Sequence, residues 1–168
     1  MRIILLLLVV CLASCSQTIY VVRHAEKATP ATATMQSDKN NPDLSEAGHA
    51  RAVALQQRLA HAGIKSIYST NYKRTLQTVM PLAKTNDLSI VTYHPSSDSL
   101  PAFVERIKSK RKGNVLIVGH SNTIDNIANA LVGSQVVPAD IPETDYNNLF
   151  IITRKGKKYH FKPEKYGE

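Results

Sequence analysis

The sequence has 168 residues, 43% of them hydrophobic, and a formal net charge of +8 at pH 7. This length and apolar content suffice for one hydrophobic core, so a single globular domain is expected. The positive charge is concentrated at positions 106–112 and 154–165, but neither run carries a nucleic-acid-binding motif, and nucleic acid is therefore excluded as an expected partner. Such runs are usually solvated faces, and they can also attract phosphorylated ligands or anionic lipid.

The first residues are predicted to form an export signal that does not belong to the folded domain. A single Arg2 precedes an apolar run at positions 3–12, which is too short to cross a bilayer as a permanent helix. Residues 1–14 are therefore interpreted as a signal peptide, and the protein is expected to be exported.

The signal ends in Leu12-Ala13-Ser14-Cys15, which resembles the lipobox of bacterial lipoproteins. The resemblance implies that Cys15 is acylated, that residues 15–168 form the mature domain, and that this domain is lipid-anchored to the bacterial cell envelope. The alternative is that Cys15 is an ordinary thiol behind a signal cleaved elsewhere. Because Cys11 would leave with the signal, no disulfide is expected in the mature chain.

From residue 18 onward, apolar and amphipathic segments alternate along the chain. In chain order we expect a strand at 18–22, a loop at 25–44 interpreted as a flap over a site, a helix capped by Ser45 and ended by Gly63, and a strand at 64–69. There follow a helix at about 72–85 that contains Pro81, a strand at 88–93, a helix at about 99–110, a strand at 114–119 and a helix at 123–131. A connection at 133–147 leads to a terminal hairpin of strands 149–153 and 158–161, with Gly156 in the turn.

Alternating strands and helices favour an α/β fold in which a mostly parallel central sheet lies between helical layers. Sites in such folds lie at the carboxyl ends of the strands. Arg23 and His24 end the first expected strand, Arg74 follows the second, and His120 follows the aliphatic fourth strand. Two histidines and two arginines are therefore expected to converge at one edge of the sheet.

This set of residue types suits phosphoryl transfer. A neutral imidazole is a competent nucleophile toward phosphorus, and water can later hydrolyse the phosphohistidine that it forms. Guanidinium groups bind phosphoryl oxygens and act most strongly where charge grows in the transition state. A metal site is the rival interpretation, but no HxH or HExxH spacing supports it and Arg23 would repel a cation. No metal or other cofactor is therefore expected.

Four separated segments carry a resemblance to a known family. They are Val22-Arg23-His24-Ala25-Glu26-Lys27, Leu44-Ser45-Glu46-Ala47-Gly48, Tyr68-Ser69-Thr70-Asn71-Tyr72-Lys73-Arg74-Thr75-Leu76-Gln77-Thr78 and Val118-Gly119-His120-Ser121-Asn122-Thr123. In this order they look like the successive signatures of the histidine phosphatase family, whose phosphoglycerate-mutase-like fold is a three-layer α/β/α arrangement. The resemblance extends over about residues 18–132 and implies that the mature chain is a single histidine phosphatase domain.

The resemblance also implies a role for each matching residue. The catalytic residues are His24, which becomes phosphorylated, and His120, which completes the pocket by hydrogen bonding to the phosphoryl oxygens. The implied phosphate-binding residues are Arg23, Arg74, Ser121 and Asn122, of which the last two lie where the next helix begins.

Two departures from the family pattern limit what the resemblance assigns. Many relatives have glycine where this chain has Ala25, a small change that requires an ordinary backbone φ angle there. Larger relatives place a glutamate soon after the third strand as the general acid, whereas this chain has Tyr93-His94-Pro95-Ser96-Ser97-Asp98. The general acid is therefore left open among three candidates, Asp98, Glu105 and Asp125.

The expected function is that of a metal-independent phosphohydrolase that acts through a phosphohistidine intermediate. Small members that resemble this chain lack the insertions with which mutases retain the phosphoryl group, so water is the expected acceptor. A phosphorylated small molecule and a phosphoprotein both remain open as substrates. The alternative function is that of a catalytically silent lipoprotein that binds a phosphorylated ligand in the same pocket.

Overall fold

The structure is a computed structural model, and it describes residues 16–29, 38–110 and 112–167. The predicted signal peptide and the predicted lipidation site, Cys15, lie outside the described residues, as does the middle of the predicted flap at 25–44. Those predictions are therefore not tested by the fold. Within the described part of the chain, no helix is long and apolar enough to cross a membrane.

Six strands form one mixed sheet. They are β1 (Gln17–Arg23), β2 (Ile64–Ser69), β3 (Ile90–Thr92), β4 (Asn114–Gly119), β5 (Asn148–Lys155) and β6 (Lys158–Lys165). Their order across the sheet is β3-β2-β4-β1-β5-β6. The first four strands in that order run parallel, whereas β5 pairs antiparallel with both β1 and β6. The mostly parallel sheet expected from the sequence is therefore confirmed.

Four helices cover the two faces of this sheet. They are α1 (Glu46–Arg58), α2 (Lys73–Thr85), α3 (Leu100–Ser109) and α4 (Ile124–Val132). On one face, Leu55 of α1 joins a buried cluster with Val22 of β1, and on the other face, Ile127 of α4 joins a second cluster with Val21. Adjacent residues of β1 thus point into opposite cores, as the period of a strand buried on both faces requires. The α/β fold with helices on both faces of the sheet is confirmed.

Three predicted elements differ clearly in extent from the observed ones. The helix capped by Ser45 ends at Arg58 and not at Gly63, because the backbone N–H groups of Ala60 and Ala62 bond to carbonyls three residues back, as in a turn. The strand predicted at 88–93 is only Ile90–Thr92, because Asp87 has a positive φ of 50° and the Leu88 backbone N–H donates to the Ala83 carbonyl at the end of α2. The terminal hairpin is longer than predicted, because Arg154 is a buried strand residue that donates to the Lys108 carbonyl, at 2.9 Å, and not a turn residue.

Candidate active site

The site lies where three parallel strands end. Arg23, the last residue of β1, pairs with Gly119, the last residue of β4, and Val118 of β4 pairs with Ser69 at the end of β2. The backbone N–H of His24 donates to the Gly119 carbonyl at 3.0 Å, which extends the β1–β4 ladder to the nucleophile candidate. The sheet itself therefore fixes the position of the Arg23-His24 pair relative to the segment that follows β4.

A cavity of about 510 Å³ opens at this edge of the sheet. The predicted residues that line it are His24, Arg74, His120, Ser121 and Asn122. Arg23 is fully buried, and it reaches the cavity wall through an ion pair with the lining residue Glu143. The structure thus brings together all six residues that the sequence assigned to phosphate binding and catalysis.

The hydrogen bonds of His24 define which ring nitrogen is free. Its Nδ1 atom lies 2.7 Å from the carbonyl oxygen of Ala25. Because a carbonyl only accepts, Nδ1 carries the proton and Nε2 keeps its lone pair. Burial, assisted by the neighbouring arginine charges, lowers the pKa of His24 from 6.5 to about 3, so the ring is neutral at physiological pH. His24 therefore has the protonation state that a nucleophile requires.

His120 lies beside His24, with 5.5 Å between the ring centroids. Its Nε2 atom is 2.9 Å from Thr70 Oγ1, and its Nδ1 atom is 3.5 Å from a guanidinium nitrogen of Arg74. A guanidinium only donates, so in the unliganded site Nδ1 accepts and Nε2 donates to the threonine hydroxyl. Burial and the nearby arginines lower the pKa of His120 from 6.5 to about 4, which keeps this second ring neutral as well.

Arg23 is held by groups from the connection between α4 and β5. Its Nη1 donates to the carbonyl of Pro142 at 2.9 Å, and its Nη2 forms a 2.7 Å ion pair with the Glu143 carboxylate. The ring of Tyr146 packs against the guanidinium, 4.2 Å from its central carbon. The buried Nε atoms of Arg23 and Arg74 have no hydrogen-bond partner in the described part of the chain. Two buried donors at one site suit an oxyanion ligand.

The motif at residues 44–48 supports the motif at residues 22–27 through a close backbone approach. Ser45 caps α1 by accepting a hydrogen bond from the Gly48 N–H at 3.1 Å, as the sequence predicted, and its own N–H donates to the Glu26 carbonyl at 2.9 Å. A Cβ atom on Gly48 would collide with the same Glu26 carbonyl oxygen. Glycine is therefore required where α1 crosses the chain two residues after His24.

The motif at residues 68–78 supports the site through side chains of α2. Thr78 Oγ1 accepts from the Ala25 N–H at 2.9 Å, and Gln77 bonds both the Leu44 N–H and the Asp43 carboxylate. These bonds tie the two ends of the predicted flap to the helix that carries Arg74. Gln77 and Thr78 therefore position the site and do not line the cavity.

None of the three predicted general acids lines the cavity. Asp98 is exposed in the loop before α3, and Glu105 is exposed on α3. Asp125 is buried on α4, where burial raises its pKa, and its Oδ1 has no partner among the described residues. Chain order suggested these three residues, but the structure places Asp98 in a loop and the other two on helices, outside the lining of the cavity.

The carboxylate that does contact the site was missed by the sequence analysis. Glu143 accepts from Arg23 and from the hydroxyl of Ser121, and hydrogen bonding to Ser121 lowers its pKa below the usual range. It lies in the predicted connection at 133–147, whose only signal was three acidic residues, Asp140, Glu143 and Asp145, around Pro142. Lys27, which lines the cavity, and Thr70, which bonds His120, also belong to the sequence motifs, but the sequence assigned them no role.

No group of histidine, cysteine, aspartate and glutamate side chains within residues 16–29, 38–110 and 112–167 has the arrangement of a metal site. His24 and His120 face arginine guanidiniums, which repel a cation. The positive charge beside these two histidines therefore favours an anionic ligand next to them.

Comparison with protein families gives one match. The model of the histidine phosphatase superfamily (branch 1) matches residues 19–95, somewhat less than half of the chain, and this segment carries His24 and Arg74. Comparison with curated proteins found no significant match.

Solved structures share the fold at low sequence identity. The proposed phosphohistidine phosphatase SixA from Agrobacterium tumefaciens is 20% identical, with a TM-score of 0.65 over 90% of this chain and 97% of that one. The protein histidine phosphatase SixA in complex with tungstate is 14% identical, with a TM-score of 0.66 over 88% and 96%. A proposed alpha-ribazole-5'-P phosphatase from Escherichia coli is 13% identical, with a TM-score of 0.66 over 89% and 96%. The family match covers the segment that carries His24 and Arg74, and these structural neighbours show that the chain shares their fold.

Proposed function

We propose that this protein is a phosphohydrolase that acts through a phosphohistidine formed on His24. The observation that carries the proposal is the hydrogen bond from His24 Nδ1 to Ala25, which leaves Nε2 as a free lone pair in a cavity flanked by arginines. A neutral imidazole held in one tautomer is ready for attack on phosphorus. The superfamily match over the same segment supports the assignment.

The reaction has two steps. His24 Nε2 attacks the phosphorus, a nitrogen–phosphorus bond forms, and the bond to the leaving-group oxygen breaks while that oxygen takes up a proton. Water then attacks the phosphohistidine and gives up a proton, the nitrogen–phosphorus bond breaks, and inorganic phosphate leaves. Arg23 and Arg74 bind the equatorial oxygens in both transition states, where the negative charge is largest.

Glu143 is the proton donor in this proposal. It is ionised in the unliganded site, because the hydrogen bond from Ser121 and the charge of Arg23 both favour the carboxylate. A bound phosphoryl dianion places negative charge beside it and takes over part of Arg23, and both changes raise the pKa of Glu143. The protonated carboxyl can then protonate the leaving group and, as the carboxylate, accept a proton from the attacking water.

The test uses residues 16–168, since all six strands and four helices lie within 17–165. We expect hydrolysis of an aryl phosphate that persists in EDTA, because no step needs a metal, and inhibition by orthovanadate, which mimics the five-coordinate transition state. Labelled phosphate should be trapped on His24, and His24→Ala should abolish both labelling and turnover with the fold intact. Label on another residue would remove His24 from this role, and zinc-dependent turnover would favour the metal interpretation.

The silent phosphate-binding alternative is favoured by one observation. None of the general acids predicted from the sequence lines the cavity, and Glu143 already occupies Arg23. A protein of that kind would bind phosphate or vanadate without turning over an aryl phosphate. Turnover by the wild type, lost in His24→Ala, therefore separates the two functions.

We also propose that Cys15 carries a lipid anchor that holds the domain at the bacterial cell envelope. Its support is the lipobox resemblance and the position of β1, which begins at Gln17 and ends beside His24. The nine steps from Cys15 to His24 span at most about 30 Å when extended, and the active edge of the sheet then faces away from the bilayer. Exposed Lys155 and Lys158 pair at the Gln17 end of the sheet, where anionic lipid would lie.

Two measurements test the anchor. Labelled palmitate should enter the full chain and be absent from Cys15→Ser. Full chain in liposomes and soluble 16–168 should hydrolyse a water-soluble phosphoester at equal rates, and a phospholipid head-group phosphate should be a poor substrate. Strong acceleration of attack on that lipid phosphate by anchoring would show that the proposed orientation is wrong.

A further inference from the structure

A second cavity of about 350 Å³ adjoins the candidate active site. It lies between the loop that follows β3 and the first turns of α4, and it shares Pro95, Asn122 and Thr123 with the first cavity. The rest of its wall consists of Tyr93, His94, Ser96, Ser97, Leu100, Phe103, Asn126 and Ile127. Because the two cavities have wall residues in common, a ligand whose phosphoryl group lies at His24 can extend into the second one.

The floor of this second cavity is aromatic and fixed in place. Tyr93 stacks on Phe103, with ring centroids 4.2 Å apart and planes 9° from parallel. The Tyr93 hydroxyl donates to the Val118 carbonyl at 3.0 Å, so its polar end is already bonded within the protein. Two stacked rings, one of them oriented by this hydrogen bond, offer an apolar surface on which a planar group can pack.

The walls carry hydrogen-bonding groups but almost no charge. No lysine, arginine, aspartate or glutamate of the described ranges lines the second cavity, and the imidazole of its one histidine, His94, is exposed. The side-chain amide of Asn122 is exposed and makes no hydrogen bond within those ranges, and it stands at the boundary between the two cavities. A charged group placed here would lose its hydration without gaining an opposite charge, whereas a neutral group with one polar atom would not.

We propose that this cavity binds the leaving group of a phosphomonoester, and that the preferred leaving group is an uncharged ring system. The proposal rests on the proposed phosphohydrolase function and names its substrate class. The volume of the second cavity, about 350 Å³, is at the lower end of the range for small-molecule pockets. This size favours a group of one or two rings over a docked protein segment. Specificity then arises from differential binding of the leaving group, since the phosphoryl contacts are common to all substrates.

The test compares leaving groups of similar acidity, so that chemistry and binding are separated. The matched substrates are 2-naphthyl phosphate, its 6-sulfonate and phenyl phosphate. Two compounds with a phosphorus–nitrogen bond are tested beside them: a phosphohistidine peptide, which releases an imidazole, and phosphoramidate, whose leaving group is only ammonia. In residues 16–168 we expect kcat/KM for 2-naphthyl phosphate to exceed that for the sulfonate by about tenfold or more, which corresponds to about 1.4 kcal/mol.

Two substitutions fill the cavity without touching His24 or the arginines. Asn126→Trp is on the exposed side of α4, and Ser97→Trp is in the loop before α3, so a folding defect in one leaves the other as a test. Either should lower the ratio of kcat/KM for 2-naphthyl phosphate to that for phosphoramidate by about tenfold. Glu105→Trp, exposed on α3 and outside both cavities, is the control and should leave the ratio unchanged.

The outcomes distinguish the two levels of the proposal. The leaving-group site would be overturned, and the phosphohydrolase function would stand, if the protein hydrolysed phosphoramidate but did not prefer 2-naphthyl phosphate over its sulfonate. A preference that both tryptophan variants leave intact would have the same meaning. A phosphohistidine peptide that is far better than 2-naphthyl phosphate and insensitive to the tryptophans would also overturn it. Absence of turnover and of label on His24 for every substrate would overturn the phosphohydrolase function, and the leaving-group site with it.

Discussion

Substitution of His24 by glutamine should change how the stability of the protein depends on pH. Burial lowers the pKa of this histidine in the folded state from 6.5 to about 3, and unfolding restores the ordinary value. Between these two pH values the unfolded chain binds more protons than the folded one, so stability falls as the pH falls through 6.5. His24→Gln removes this proton uptake, and the variant should lose less stability in acid than the wild type.

The size of the effect follows from the two pKa values. The pKa of His24 is 6.5 in the unfolded chain and about 3 in the folded one. Proton binding by the unfolded chain therefore destabilises the folded state by about 0.2 kcal/mol at pH 7 and by about 2 kcal/mol at pH 5. The wild type should therefore lose about 2 kcal/mol more than His24→Gln between these pH values. The neutral ring also predicts that kcat/KM has no acid limb near 6.5 arising from His24.

Urea unfolding followed by circular dichroism at pH 7, 6 and 5 measures this difference directly. The comparison is between changes with pH and not between absolute stabilities, because the substitution also alters packing at the strand end. His160→Gln, on the exposed edge of β6, controls for the removal of a histidine as such. Wild type and His24→Gln with parallel stabilities across this range would refute a buried, neutral His24.

Three further predictions concern the surroundings of His24. Gly48→Ala should destabilise the fold by about 1–3 kcal/mol in urea unfolding, because the new Cβ would collide with the Glu26 carbonyl oxygen, and an unchanged midpoint would contradict that contact. Glu143→Gln should lower kcat/KM for an alkyl phosphate by about 10²-fold or more and for a nitrophenyl phosphate by only a few-fold. Asp98→Asn is the control and should affect neither substrate. Equal effects of Glu143→Gln on both substrates would exclude Glu143 as the proton donor. Orthovanadate should protect the wild type against thermal unfolding more than it protects His24→Ala, and equal protection would place the anion away from His24.

The elements that carry the nucleophile could be predicted because their signals are local. β1 and β4 are short apolar runs buried on both faces, and each is followed directly by a histidine of the candidate site. Once they are placed side by side in a parallel sheet, the rule for strand ends brings His24 and His120 together without any further information. The extent of β3 could not be predicted, because the hydrogen bond from Leu88 to the end of α2 competes with pairing in the sheet.

The position of Glu143 had no comparable signal in the sequence. The connection that contains it is held by isolated long-range bonds: the Ile141 N–H donates to the Ser121 carbonyl, and Arg23 donates to the Pro142 carbonyl 119 positions away. Such bonds leave no period in the sequence, unlike a helix or a strand. The sequence therefore left Asp98, Glu105 and Asp125 as candidate acids, whereas the structure places the Glu143 carboxylate, from the connection after α4, beside Arg23.

The ion pair between Arg23 and Glu143 also connects phosphate binding to substrate choice. The Arg23 guanidinium already has the Glu143 carboxylate and two backbone carbonyls as partners. At Arg23, a phosphoryl group that enters the site therefore replaces one anion by another. Free phosphate should therefore gain less from Arg23 than from an unpaired arginine, which would favour its release after the proposed hydrolysis. The additional free energy that retains a substrate must then come from its leaving group, and the cavity floored by Tyr93 and Phe103 is where the structure can provide it. Discrimination among phosphoesters is thereby assigned to an uncharged aromatic surface, while the charged residues perform the chemistry that all of them share.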